Sequence, residues 1–152
     1  MIAFPDTSFL CALYRRQDNS PVAAAHFQAM REALHVSGLL LYEFRQSLRL
    51  HVWLHQQDPA RGFSRTDGDR ALADLESDLD SGALVVAAVD SPDVHRLAEQ
   101  LSNRHTRAHG HRALDVLHVA TALHLDAREF LSFDPSQRRL AAAERLKVRP
   151  RA

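Results

Sequence analysis

The sequence has one cysteine, Cys11, and a single thiol excludes any disulfide within the chain. That fits a reducing compartment, so a cytoplasmic location is the expectation. Lysine is nearly absent: the basic residues number 19, and Lys147 is the only one that is not arginine. Chemistry that needs a particular lysine therefore has one candidate, close to the C-terminal end. No apolar run approaches the roughly 20 residues of a membrane span, and no membrane association is expected. The opening Met1-Ile2-Ala3-Phe4-Pro5-Asp6 has neither a basic stretch nor room for an apolar segment before its first acid, which argues against a secretory leader. Net charge is missing too, since 19 acids balance the 19 bases, with ten histidines besides. A protein coated in positive potential is thereby disfavoured, but a local basic patch is not. Repeats, linkers and low-complexity segments are absent, so residues 1–152 read as one domain.

The charges that are present are segregated. Asp67 to Asp80 holds Asp67, Asp69, Asp74, Glu76, Asp78 and Asp80 against Arg70 alone, and reads as a solvated helix face. His105 to Arg112 has no acid but carries His105, Arg107, His109, His111 and Arg112. The stretch from Arg138 to Arg151 sets five arginines and Lys147 against Glu144.

Strand-like and helix-like segments alternate. Short apolar strands are expected at Ile2–Phe4, His35–Ser37, Leu84–Val86, Phe130–Phe133 and Lys147–Val148. Helices are expected from Asp6-Thr7-Ser8, from Pro21 to Met30 and from Leu39 to Gln56. A further one is capped by Thr66 or Asp67 and ends before Gly82, and another is capped by Ser91 with Pro92 at its first position. A His/Arg-rich loop then leads to a helix with a buried stripe of Val116, Val119, Ala120 and Leu123, and the last helix follows Asp134-Pro135. This alternation predicts an α/β fold in three α/β/α layers around a central, mainly parallel sheet.

Ligands of such sheets bind beyond the carboxyl ends of the strands. Asp6 ends the first strand, Glu43 sits one turn into the helix after the second, Asp115 begins the helix after the basic loop, and Asp134 ends the Phe130–Phe133 strand. All four carboxylates can converge on one edge, and the spacing places no fixed basic residue beside each of them. Converging carboxylates repel and raise one another's pKa unless cations are present. Mg²⁺, or Mn²⁺, is the natural occupant, and a pair of such ions can drive phosphodiester hydrolysis. Thr7, Ser8 and Ser132 offer hydroxyls that orient the acids.

These residues carry a resemblance. Phe4-Pro5-Asp6-Thr7-Ser8-Phe9-Leu10, the Ser37–Phe44 stretch with Tyr42-Glu43, the run from Arg112 through Asp115 to Ala122, and Phe130-Leu131-Ser132-Phe133-Asp134 together resemble a PIN-domain ribonuclease of the VapC toxin type. The resemblance implies Mg²⁺- or Mn²⁺-dependent cleavage of RNA, a homodimer, and a small protein antitoxin as partner. It also implies that Asp6, Glu43, Asp115 and Asp134 form the catalytic metal site, with Asp6 and Asp115 as direct ligands. Two positions depart from the family pattern: Pro5 replaces an apolar strand residue, and Ser132 stands where threonine is frequent.

Two other α/β readings fail on the same residues. A receiver-like module needs a phospho-accepting aspartate after a middle strand, but Asp58 is followed by Pro59 in a loop. A haloacid-dehalogenase-type phosphatase needs an acid two residues after Asp6, where Ser8 stands. The histidines His105, His109 and His111 lack the cysteines or paired spacing of structural zinc, and are expected in solvent or against RNA or a partner. His118, one turn after Asp115, is expected to be a buried histidine or a contact to that carboxylate. Arg45 and Arg49, on the Glu43 helix, are candidate phosphate contacts. A PIN fold that binds protein with little turnover remains as the alternative, with Phe9, Leu13, Phe27, Met30 and Trp53 as the place for a partner groove or dimer face.

Overall fold

Phe4 is wholly buried at the centre of the three-residue strand β1 (Ala3–Pro5), and it pairs in parallel with Phe130 of β4 (Glu129–Leu131). These are coordinates of a computed structural model, which describes residues 1–151. β4 also pairs in parallel with β5 (Lys147–Arg149), giving the order β1-β4-β5. A second parallel ladder joins β2 (Leu34–Val36) to β3 (Leu84–Val86), and β2 lies alongside β1. Pro5 has no N–H to give, and β1 makes its ladder on the β4 side only.

Among the described residues, eight α-helices pack around these strands. They are α1 (Thr7–Tyr14), α2 (Ser20–Ala29), α3 (Gly38–Gln57), α4 (Arg65–Ser81), α5 (Ser91–Leu101), α6 (Arg107–His109), α7 (Ala113–His124) and α8 (Pro135–Ala143). Parallel strands need crossovers, and helices supply them, so β1 is buried on both faces, whereas Val85 and Val86 of β3 stay exposed. The result is the expected α/β/α arrangement, with Phe4, Phe9, Phe44 and Phe130 at full burial in its core. No helix among the described residues is long and apolar enough to cross a membrane.

The expected helix starts are shifted in two places. Ser64, not Thr66 or Asp67, caps α4: its hydroxyl accepts the Asp67 N–H at 3.1 Å and donates to the Asp67 carboxylate at 2.8 Å. Asp90, not Ser91, caps α5 by accepting the Asp93 N–H at 2.9 Å, which moves Pro92 to the second helical position. The expected His/Arg-rich loop is largely helical. α5 runs directly into a π-helical turn at Ser102–Thr106 and then into α6, because no glycine or proline intervenes until Gly110, which ends the run at φ 69°.

Candidate active site

Parallel pairing delivers the site. The Asp6 N–H donates to the Leu131 carbonyl at 2.9 Å, so the residues that follow β1 and those that follow β4 emerge side by side. Asp6 is fully buried and caps α1. Its Oδ1 accepts from the Ser8 hydroxyl at 2.6 Å and the Phe9 N–H at 2.9 Å, while its Oδ2 accepts from the Ser132 hydroxyl at 2.5 Å. Ser8 and Ser132 in turn accept the N–H groups of Phe133 and Asp134 at 2.8 and 3.0 Å. Two serine hydroxyls thus lace the end of β1 to the end of β4. Burial pushes the Asp6 carboxyl up to about 6, a rise that the bonds from Ser132, Ser8 and Phe9 and the nearby His118 only partly offset.

Glu43 projects from the second turn of α3, whose start is set by Ser37 accepting the Leu40 N–H at 3.1 Å. Its Oε2 accepts hydrogen bonds from the Thr7 hydroxyl and from Nε2 of His118. Burial drives this carboxyl up, but the bonds from His118 and Thr7 outweigh it and hold the group below its ordinary value. Asp115 is buried at the third position of α7, and its Oδ2 accepts from Arg112 Nε at 3.3 Å. Desolvation raises its pKa, Arg112 opposes the rise, and the negative charges of Asp134 and Glu43 add to it. Asp134 caps α8, its Oδ1 accepting the N–H groups of Ser136 and Gln137 at 2.8 and 3.0 Å.

Asp115 lies close enough to Glu43 and Asp134 to feel their charges, and Asp6 reaches this edge through the Ser132 hydroxyl, which also accepts the Asp134 N–H. Three details differ from the sequence-based expectation. Asp115 does not begin its helix but is the third residue of α7; the cap position is Arg112, which makes no side-chain cap bond. His118 reaches Glu43 rather than Asp115. Two of the acids do have fixed basic neighbours, Arg112 beside Asp115 and His118 beside Glu43. The Arg112–Asp115 pair has a signal in its three-residue helical spacing, whereas the His118–Glu43 pair spans the fold and has none.

The donor set suits a hard cation in its chemistry: four carboxylates, with Glu43 Oε1, Asp115 Oδ1 and Asp134 Oδ2 outside the hydrogen bonds made by their partner oxygens. No three His, Cys, Asp or Glu side chains among the described residues stand close enough to hold one ion between them. Mg²⁺ does not require that, because it keeps several waters and binds through one or two carboxylates. Asp6 differs from the other three in having both oxygens engaged by the chain itself.

Residues flanking the site also depart from expectation. Arg45 pairs with Glu76 at 2.5 Å and ties α3 to α4, so it is not free for a phosphate. His105 binds Glu144 at 2.6 Å with Arg104 beside it at 2.9 Å, and it stays near enough to His111 to help burial hold that ring's pKa down. His111 meets the Ser136 hydroxyl through Nδ1 at 2.9 Å. Phe9 is fully buried and packs flat against Phe133, so it cannot line a partner groove, while Leu13, Phe27 and Met30 pack partly buried on the core. Trp53 is 52% exposed.

Comparison with known proteins agrees with this architecture. A family model described as the PIN domain matches residues 3–143. No curated protein sequence matches the chain. Among solved structures, VapC20 of Mycobacterium tuberculosis, described as a sarcin–ricin loop cleaving toxin, aligns at 19% identity with a TM-score of 0.69, over 97% of this chain and 99% of that one. VapBC2 of Rickettsia felis, solved with a DNA fragment from its promoter, aligns at 13% identity and 0.68 over 98% of each chain. FitAcB of Neisseria gonorrhoeae aligns at 18% and 0.63, over 97% and 96%. At these identities the likeness is one of fold.

Proposed function

The chain belongs to the PIN-domain family, and from that premise we propose that it is a metal-dependent endoribonuclease, the toxin of a toxin–antitoxin pair. The observation that carries this reading is the acidic edge itself. Asp115 is buried with its carboxyl pushed up by desolvation and by the charges of Asp134 and Glu43, an arrangement that a divalent cation would relieve. Bound there, Mg²⁺ or Mn²⁺ would polarise the phosphodiester and lower the pKa of a coordinated water.

The chain's own residues have separable roles in this proposal. Asp115 and Asp6 hold the cation, with Asp134 supporting it. Glu43, kept ionised by His118 and Thr7, accepts a proton from the attacking water. Ser8 and Ser132 fix the Asp6 carboxylate. The Arg112 side chain, 80% exposed beside Asp115, faces the incoming phosphate. A small protein antitoxin, by analogy with the VapBC2 and FitAcB structures, and a second copy of the chain complete the proposed assembly. The test is cleavage of total RNA by the purified protein with Mg²⁺, with chelator, and as Asp115→Asn. Chelator-sensitive cleavage that Asp115→Asn lacks is expected; equal cleavage by both forms would overturn the proposal.

A second reading, a PIN-fold module that binds protein with little turnover, is favoured by one observation: both Asp6 oxygens are already satisfied inside the chain. It predicts no chelator-sensitive cleavage in the same assay.

A further inference from the structure

Beside the acidic edge lies a cleft of about 610 Å³ between α8 and β5, within the roughly 300–1,000 Å³ of small-ligand sites. It begins one residue from Asp134, since Phe133 and Pro135 form one wall and Val148 stands on the β5 side. Three arginines line it: Arg138, Arg139 and Arg151. Arg138 is fixed in place, its guanidinium donating to the Ser132 carbonyl at 2.6 Å and the Pro150 carbonyl at 3.0 Å. Those bonds to neutral carbonyls leave its charge uncompensated. Arg139 and Arg151 are exposed.

No lining residue is acidic, and the acids nearby are engaged elsewhere. Glu144 takes Arg104 and His105, and Glu129 takes Lys147 and Arg149. Among the described residues no carboxylate pairs with any of the three lining arginines. The cleft thus combines an apolar, partly aromatic wall with unneutralised guanidinium groups. A single-stranded nucleotide has the complementary chemistry: a flat base for the wall and a phosphate for the rim. An acidic peptide would satisfy the arginines but leave the apolar wall unused.

We propose that this cleft is a nucleotide subsite, which holds the RNA strand beside the bond cut at the acidic edge, the base against Phe133 and Pro135 and its phosphate between Arg139 and Arg151. The inference rests on the ribonuclease reading above, but its test does not require turnover. Binding of a short, mixed-sequence single-stranded RNA to the Asp115→Asn protein is followed by fluorescence anisotropy across a salt series. Changing both Arg139 and Arg151 to alanine should weaken binding about tenfold and reduce the slope of log K against log salt by roughly 0.7, the value for the one phosphate no longer neutralised. Lysine at both positions should recover most of the slope. Unchanged affinity and slope in the alanine form would overturn the subsite, as would full displacement of the RNA by an acidic peptide at equal charge concentration. Failure of the ribonuclease reading would appear separately, as absence of metal-dependent cleavage in the parent protein with this binding intact.

Discussion

His118 on α7 donates from Nε2 to the Glu43 carboxylate on α3, joining two residues that lie 75 apart in the chain. The ring is wholly buried, and its Nδ1 has no partner. The tautomer with hydrogen on Nε2 is the one that leaves no buried N–H unpaired. Thr7 donates to the same oxygen from the start of α1, so three helices meet on one carboxylate.

Removing the ring should therefore disturb Glu43 as well as the packing. His118→Ala is expected to lose about 2–4 kcal/mol of stability from the cavity and the missing hydrogen bond, and roughly 10–100-fold in cleavage rate through a misdirected Glu43. His118→Gln, which can present an N–H near the Nε2 position, should recover most of the rate while regaining only part of the stability. Denaturant titration and single-turnover cleavage measure the two effects. Equal rates for the alanine and glutamine forms would assign His118 to packing alone.

Much of the site could be read from the chain because Asp6 directly follows a short apolar strand and Asp134-Pro135 marks a helix start, although β4 stops at Leu131, before Asp134, and Ser37 caps α3 instead of ending a strand. Strand ends and caps are local events, and local events leave local signals. The His118–Glu43 bond left none, since it depends on how α7 packs against α3 rather than on either helix alone. The same reason hid the Arg45–Glu76 pair, which removes a seemingly free arginine. The caps of α4 and α5 were misplaced by a residue or more because Ser64 and Asp67, or Asp90 and Ser91, are all competent cap types. Only the backbone geometry decides which side chain reaches the N–H three residues on.

Asp6 makes stability depend on pH in a direction opposite to most salt-bridged acids. Its folded pKa, about 6, lies above the ordinary 3.8, so the folded chain holds that proton more tightly than the unfolded one. The contribution favours the fold below pH 4 and is lost as pH rises through about 6, a difference of up to about 3 kcal/mol. Asn cannot ionise yet still accepts the Phe9 N–H. In chelator, Asp6→Asn should be more stable than the parent at pH 7, and the gap should close toward pH 4, while RNA cleavage is lost. Thermal melts at several pH values check this; a gap that does not change with pH would refute the buried-carboxylate account.

If the acidic edge takes a divalent ion, that ion should also stabilise the fold. Mg²⁺ at 100 times its dissociation constant adds about 2.7 kcal/mol, which for a chain of this size is roughly 5–10 °C in Tm. Asp115→Asn should blunt the shift, because it removes one carboxylate that the cation would relieve. A melt in Mg²⁺ against one in chelator, for both forms, is sufficient. An equal shift in parent and variant would place the ion elsewhere.

Gly62 and Gly82 form a matched pair for separating backbone strain from steric exclusion. Both have positive φ, 61° and 78°. A Cβ on Gly62 would lie 2.0 Å from the His51 carbonyl oxygen, whereas one on Gly82 meets nothing within 4 Å. Gly82→Ala should therefore cost only the left-handed strain, about 1 kcal/mol. Gly62→Ala must also push the loop after α3 away from His51, which breaks the flat His51–Phe63 stack at 5.4 Å and the placement of Arg15 over the Phe63 ring. Its cost should exceed about 2 kcal/mol by denaturant titration. The strain falls at the end of α3 remote from Glu43, so the folded Gly62→Ala protein should cleave RNA at the parent's rate below its melting range. A slowed rate there would mean that the α3–α4 loop and the acidic edge are coupled through α3.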